Sequence, residues 1–287
     1  MMTVDVEDYF QVSAFDSVAR RERWAQYESR VERNTFRLLS LFETSGVRGT
    51  FFVLGWVAER FPGLVRQIAE AGHEVASHGV SHRLVYDMSR AGFREDIRRA
   101  KWILEACTGR PVLGYRAPSF SITTRSLWAL DILIEEGYQY DASIYPIHHD
   151  RYGMPDAPRH CWRVDRPLGG IWEVPGSTVR MAGTNIPIGG GGYFRILPYA
   201  WTRAGISRVN QVEGKPVVFY IHPWEIDPDQ PRLPASAISR LRHYHNLHKT
   251  EERLRQLIRD FTFEPVSAVL LPEPAPHSMF ADLARVV

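Results

Sequence analysis

Short apolar runs rich in β-branched and aromatic residues alternate with amphipathic helical segments along most of the chain, and this alternation constrains the fold more than any other feature. Strand-like runs are read at 1–6, 49–55, 73–78, 112–116, 138–143, 171–174 and 217–221. Between them, helical periodicity covers 30–42, 56–71 and 124–136, and a charged helix follows at 250–261. Ser89 is a good N-cap for a further helix. That helix carries Phe93, Ile97, Ala100, Ile103, Leu104 and Cys107 on one face and is ended by Gly109 and Pro111. Gly72 is placed as a C′ glycine. Strands separated by helices imply a parallel sheet, open or closed. The stretch 145–167 is less regular and is where a domain boundary would fall, although it has no linker composition. Gly189 to Gly192 lacks the spacing of a phosphate loop and reads as a turn.

Composition narrows the class. The 287 residues are 44% hydrophobic and 24% charged, enough to bury a sizeable core and too apolar for a disordered chain. A net charge of +2 offers no footprint for nucleic acid. No run approaches the ~18 apolar residues of a membrane span. The start, Met1-Met2-Thr3-Val4-Asp5, has neither the basic nor the apolar region of a secretory signal, so a cytoplasmic location is expected. The two cysteines form no metal or disulfide pattern, and Cys107 is expected to be a buried thiol.

The chemistry-bearing residues cluster at the C-terminal ends of the expected strands, the edge where parallel α/β folds gather ligands and catalytic groups. In Asp5-Val6-Glu7-Asp8, three carboxylates fall within four residues. They read either as a solvated loop with an N-cap or as carboxylates gathered around a cation or an arginine. In Ser77-His78-Gly79-Val80-Ser81-His82, two histidines four apart can reach one point, and with a carboxylate they suit Zn²⁺ or a similar divalent ion. His222, in Tyr220-Ile221-His222-Pro223-Trp224, is either a satisfied core group or a general acid. Arg116 and Asp141 also end strands, as surface ion pairs or as members of the same site. Tyr145, Trp172, Tyr193 and Trp224 are aromatic candidates for holding a sugar ring, with ordinary packing as the alternative.

Taken in order, these motifs resemble the polysaccharide deacetylase family, the NodB-homology or carbohydrate esterase family 4 group, over about residues 1–224. The segment from Thr3 to Val12 looks more narrowly like deacetylases encoded with bacterial exopolysaccharide and exosortase (PEP-CTERM) loci, and the segment from His243 to Glu252 like part of their C-terminal extension. The resemblance implies a distorted (β/α) barrel with fewer than eight strands. It implies a deacetylase domain at 1–225 and an extension at 226–287 packed on the same domain. It implies a hydrolase that removes N-acetyl groups from N-acetylhexosamine units of a bacterial polysaccharide or its precursor, with a carbohydrate as its partner. The metal would be Zn²⁺, with Co²⁺, Ni²⁺ or Mn²⁺ as alternatives.

Residue by residue, Asp5 matches the base that activates water, and His78 and His82 match the metal ligands. Arg116 matches the residue that orients the base, His222 the acid, and Asp141 the carboxylate that orients that acid. The family's commonest pattern has adjacent aspartates; here Glu7 fits the spaced form of the third ligand and Asp8 is its rival. Ser119 stands where an aromatic usually follows the Arg-x-Pro motif and supplies a backbone donor. An amidohydrolase of the same fold acting on a small non-sugar or cyclic amide is the alternative enzyme. A non-catalytic carbohydrate-binding protein is opposed by the completeness of the set.

Overall fold

The computed structural model describes residues 1–149 and 151–271. Residues 272–287 of the expected extension lie outside them. The strands are β1 (Met2–Val6), β2 (Thr50–Val53), β3 (Glu74–Ser77), β4 (Gly114–Tyr115), β5 (Tyr140–Asp141), β6 (Trp162–Arg166), β7 (Gly169–Glu173), β8 (Thr178–Met181), β9 (Thr184–Pro187) and β10 (Phe219–Ile221). The helices are α1 (Val31–Thr44), α2 (Gly55–Arg60), α3 (Pro62–Glu70), α4 (Arg90–Thr108), α5 (Trp128–Glu135), α6 (Gly191–Ile196), α7 (Tyr199–Ser207), α8 (Ala237–Tyr244), α9 (Leu247–Asp260) and α10 (Val266–Leu270).

One sheet runs in the order β10-β1-β2-β3-β4-β5-β7-β6, and β8 and β9 form a separate hairpin. Every pairing in the large sheet is parallel except β6 with β7. The parallel part therefore has seven strands, in agreement with the incomplete barrel implied by the resemblance. Side chains alternate across it, as the two-residue period of a strand requires. Phe51, Val53 and Val75 join the large cluster beneath the helices, whereas Phe52, Ala76 and Tyr140 join a second cluster with Met1, Val174 and Val218. The open side between β7 and β10 is spanned by backbone. Ile188 donates to the Ser177 carbonyl, and Tyr220 donates to the Gly189 carbonyl at 2.7 Å. Gly190 makes this closure possible: its φ is +119°, and an added Cβ would lie 2.0 Å from the Tyr220 carbonyl oxygen. The glycine run thus serves a close backbone approach.

Several expected elements shift. The helix expected over 56–71 is two helices, because Pro62 cannot continue α2 and forces Phe61 out of the helical region, to φ −128° and ψ 57°. The stretch read as irregular contains β6, whose residues alternate between half-buried and exposed at the edge of the sheet. The β8–β9 hairpin, α6, α7 and α8 went unread as elements. Ser89 caps α4 by accepting from the Gly92 N–H, and Gly109 ends it at φ +64°. Cys107 is half-buried, not fully buried, and packs at the margin of the core.

The C-terminal segment seals the end of the barrel where the strands begin. Val266 is fully buried, its N–H donates to Thr50 Oγ1 at 2.8 Å, and the Ser267 N–H donates to Glu74 Oε2 at 3.1 Å. No helix among the described residues is long and apolar enough to cross a membrane.

Candidate active site

At the C-terminal ends of the strands lies a cavity of about 230 Å³. Asp5, Glu7, His78, His82, Ser119, His222 and Trp224 all line it. Thr3 and Asp5 share one face of β1, and the Arg116 guanidinium reaches both, at 2.8 Å to Thr3 Oγ1 and 2.7 Å to Asp5 Oδ1. Arg116 also donates to the Ala142 carbonyl and stacks 4.2 Å above the Phe52 ring. A buried arginine with its donors satisfied in this way is a rigid clamp on one carboxylate.

The loop after β3 carries both histidines. Gly79 adopts φ +72°, and a Cβ there would meet Asp96 Oδ2 at 2.6 Å. Asp96 accepts from the Val80 N–H and the Ser81 hydroxyl, and Arg21 donates to the carbonyls of Ser81 and His82. The loop is thereby pinned with His82 at φ +50°, a left-handed conformation uncommon for a non-glycine residue. His78 Nδ1 lies 2.8 Å from the Arg116 carbonyl, so it carries the proton and Nε2 keeps its lone pair. Burial lowers the pKa of His78 to about 4, which keeps the ring neutral.

Ligand-capable atoms of Glu7, His78 and His82 lie within 4.8 Å of one another, and all three residues are buried. Glu7 Oε2 and His82 Nε2 are 2.6 Å apart, yet Glu7 Oε2 has no hydrogen-bond partner. An orphaned, buried carboxylate oxygen beside two imidazoles fits a shared cation, and one carboxylate with two histidines is a donor set that leaves coordination positions open. Burial opposes the charge of Glu7, but His82, His222 and His78 outweigh it and hold its pKa down to about 2.

His222 follows β10 and starts a short turn containing Pro223 and Glu225. Its Nδ1 lies 2.6 Å from Glu225 Oε1, and its Nε2 lies 3.5 Å from Glu7 Oε1 and 3.8 Å from Asp5 Oδ2. Burial works against a charged ring, but the Glu225 hydrogen bond, Glu7 and Asp5 together raise it to about 9. Glu225 is itself held by Arg195, whose Nε donates to Oε2 at 2.7 Å and whose Nη1 donates to the carbonyls of His243 and His245. Trp224 stacks between His222 (5.0 Å) and His243 (4.1 Å), and its Nε1 lies 3.3 Å from Glu7 Oε1.

The expected placements of Asp8, Asp141, Trp172, Tyr145 and Tyr193 change. The Asp8 carboxylate does not join the histidines. It accepts from the backbone N–H groups of Arg30 and Val31 and from the Ser29 hydroxyl at the start of α1, and it is buried, unlike the solvated loop that the sequence also allowed. Burial pushes its pKa up to about 6 despite these bonds.

Asp141 does not reach His222. Its strand β5 is separated from β10 by four strands, and its Oδ1 accepts from the Ser143 hydroxyl. It faces Glu173 across the β5–β7 pair, and burial raises both carboxyls. The carboxylate on the His222 ring is Glu225, three residues away on the same turn. Trp172, on β7, is half-buried against the cluster containing Tyr140 and does not line the cavity. Tyr145 is fully buried, Tyr193 packs against the same cluster, and neither lines the cavity.

Glu225, Arg195 and His243 were missed from sequence. A local signal existed for Glu225, since an acidic residue at the third position of a turn opened by proline is a capping-box pattern. For Arg195 and His243 there was none.

The polysaccharide deacetylase family matches residues 15–140, and a domain of unknown function (DUF3473) matches residues 142–271. The division cuts between β5 and β6, so the second match supplies β6, β7, β10 and His222 to the shared sheet and cavity. A peptidoglycan deacetylase of Helicobacter pylori is 33% identical over 116 residues, 40% of this chain and 37% of that protein. A peptidoglycan-N-acetylglucosamine deacetylase of Bacillus cereus is 32% identical over 98 residues, 34% of this chain and 36% of that protein. The matches thus span little more than a third of these relatives. A solved Mycobacterium smegmatis structure described as a polysaccharide deacetylase shares the fold with a TM-score of 0.54 at 20% identity, covering 92% of each chain. Residues 15–140 therefore carry a polysaccharide deacetylase domain, the family that the sequence motifs resemble.

Proposed function

We propose that the chain is a metal-dependent hydrolase that removes N-acetyl groups from N-acetylhexosamine units of a bacterial exopolysaccharide or its precursor. The observation that carries this reading is the meeting, in one cavity, of the Glu7, His78 and His82 trio with a clamped carboxylate, Asp5, and a protonated imidazole, His222. The exopolysaccharide assignment is supported by the resemblance of residues 3–12. The reading treats 1–225 as the deacetylase domain and 226–287 as an extension packed on it.

Glu7, His78 and His82 would hold a divalent ion, most simply Zn²⁺, which when bound supplies Lewis acidity to the acetyl carbonyl and to water. Asp5, oriented by Arg116, takes a proton from the attacking water as its oxygen bonds to the carbonyl carbon. The Ser119 backbone N–H, whose neighbours at Ala117, Phe120 and Ser121 donate elsewhere, would be the donor to the developing oxyanion. His222 bonds Glu225 through Nδ1, so the proton it gives to the departing nitrogen is the one on Nε2. The C–N bond breaks, leaving acetate and an amine. Trp224 lines the cavity, but His222 and His243 stack on it, so its part is to hold the His222 ring and not to offer a face to the sugar. The test is acetate release from N-acetylated oligosaccharides by the metal-loaded protein, with loss of release after chelation and return on adding back Zn²⁺. Metal-independent release, or none, refutes the reading.

A further inference from the structure

Two fully buried carboxyls, Asp141 and Glu173, have no part in the mechanism. They are register partners on β5 and β7, within hydrogen-bonding reach of each other. Asp141 Oδ1 accepts from the Ser143 hydroxyl and Glu173 Oε1 from the Ile144 N–H at 2.9 Å, which leaves Asp141 Oδ2 and Glu173 Oε2 without a donor. Two facing carboxylates in a buried setting repel, and one proton between the orphaned oxygens satisfies both. Ser143 carries this grip to the next loop, because its Oγ accepts from the Ala117 N–H at 2.7 Å. Ala117 leads into Ser119, at φ 52° and ψ 33°, and Phe120, at φ 52°, two successive non-glycine residues in the left-handed region. Such a turn persists only where its surroundings over-determine it. The N–H groups of Phe120 and Ser121 bond back to Ala117 and Pro118 within the turn itself. Its polar anchors from outside include Ser143, the Ser13 hydroxyl at 2.9 Å from Ser119 Oγ, and the Val85 N–H at 3.0 Å from Ser121 Oγ.

We propose that Asp141 and Glu173, sharing one proton, are positioning residues that act through Ser143 to hold the Ser119 N–H where the acetyl oxyanion develops. This rests on the deacetylase reading and deepens it, since the donor is set in place before substrate arrives. A donor in a strained turn is aimed by whatever anchors the turn, and an oxyanion donor acts on the transition state more than on bound substrate. The clamp on the base stands apart from this relay, because Arg116 reaches Asp5 directly and holds the Ala142 carbonyl.

The experiment measures acetate release from N-acetylated oligosaccharides and the affinity of a methylphosphonamidate analogue, whose tetrahedral centre mimics the transition state. Ser143→Ala is expected to lower kcat by about tenfold to a hundredfold with KM little changed, less than the 10²–10³ typical of removing an oxyanion donor outright. Amide and activated-ester hydrolysis should fall together, since both pass through the oxyanion. Analogue affinity should fall by the same factor as kcat/KM while metal content stays constant, a match that loss of folded protein does not produce. Glu173→Ala is expected to follow Ser143→Ala. Glu173→Gln is expected to recover most of the loss, because its amide donates to Asp141 the hydrogen bond that the shared proton otherwise makes. Ser143→Ala within about twofold of wild type in kcat, or with turnover lost and analogue affinity intact, overturns the inference. Glu173→Gln as impaired as Ser143→Ala overturns it too, whether or not Glu173→Ala folds. No release by the wild-type protein overturns the deacetylase reading and this inference with it.

Discussion

Replacing Glu225 with glutamine tests the electrostatic logic of the site, because it keeps an acceptor near His222 Nδ1 while removing the charge. Raising an imidazole from 6.5 to about 9 corresponds to about 3 kcal/mol of preference for its protonated form, at ~1.4 kcal/mol per tenfold. A charge-assisted hydrogen bond contributes about 1.5–3 kcal/mol and a neutral one about 1 kcal/mol, so Glu225→Gln is expected to remove about 1–2 kcal/mol of that preference. The imidazole should then titrate about one pH unit lower. The readout is NMR titration of His222 in the metal-free protein, with the basic limb of the rate profile moving the same way in the loaded enzyme.

A raised folded pKa stabilises the fold fully below the unfolded value of 6.5, and that contribution is lost as pH rises through about 9. The stability gap between the wild type and Glu225→Gln should therefore narrow across that window. The Glu225 carboxyl is itself lowered, despite burial, by Arg195 and His222, so its own contribution is present above 4.5 and fades only as pH falls below it. Arg195 loses its partner in the single variant, at a cost of about 3–5 kcal/mol for an unpaired buried charge. Pairing the change with Arg195→Met removes the stranded cation. A folded variant whose His222 titrates at the wild-type value would refute the reasoning.

His78→Ala and His82→Ala should each lose bound metal, measured by elemental analysis, while staying folded. Glu7→Gln should weaken metal affinity and Asp5→Asn should keep metal but lose turnover. Asp8→Ala should keep metal and lower stability by about 1–2 kcal/mol as its bonds at the start of α1 are lost; metal loss in Asp8→Ala would move the ligand by one residue. His222→Ala should reduce amide hydrolysis by about 10² to 10⁴ and hydrolysis of an activated acetyl ester much less, since such a leaving group needs no proton. Equal losses on both would make His222 something other than the acid. Gly190→Ala should destabilise by about 3 kcal/mol or more in chemical denaturation, because its Cβ would enter the Tyr220 carbonyl at a positive φ.

Much of the barrel was legible because its strands are buried on both faces and read as continuous apolar runs, as in β1 and β2. Edge and surface elements were not. β6 carries only Trp162 and Val164 on its inner face among three charged residues, and α8 exposes Ile238 and Leu241. At the site, His78 and His82 were legible because their four-residue spacing directly after a strand lets them reach one point, whereas Glu7 was separated from Asp8 only by the family resemblance.

The sequence by itself determined the strand–helix alternation, the α4 caps and the residue types gathered at the strand ends, since each depends on neighbours within a few positions. Only the tertiary structure decided which carboxylate serves which partner. Asp8 turns to the N–H groups of α1 and Asp141 is held four strands away from His222. Arg195 and His243 reach the site from segments 27 and 21 positions from His222 (222 − 195 and 243 − 222). Those pairings depend on how the sheet curls and where its open side is closed, and chain spacing carries no record of distances across a barrel.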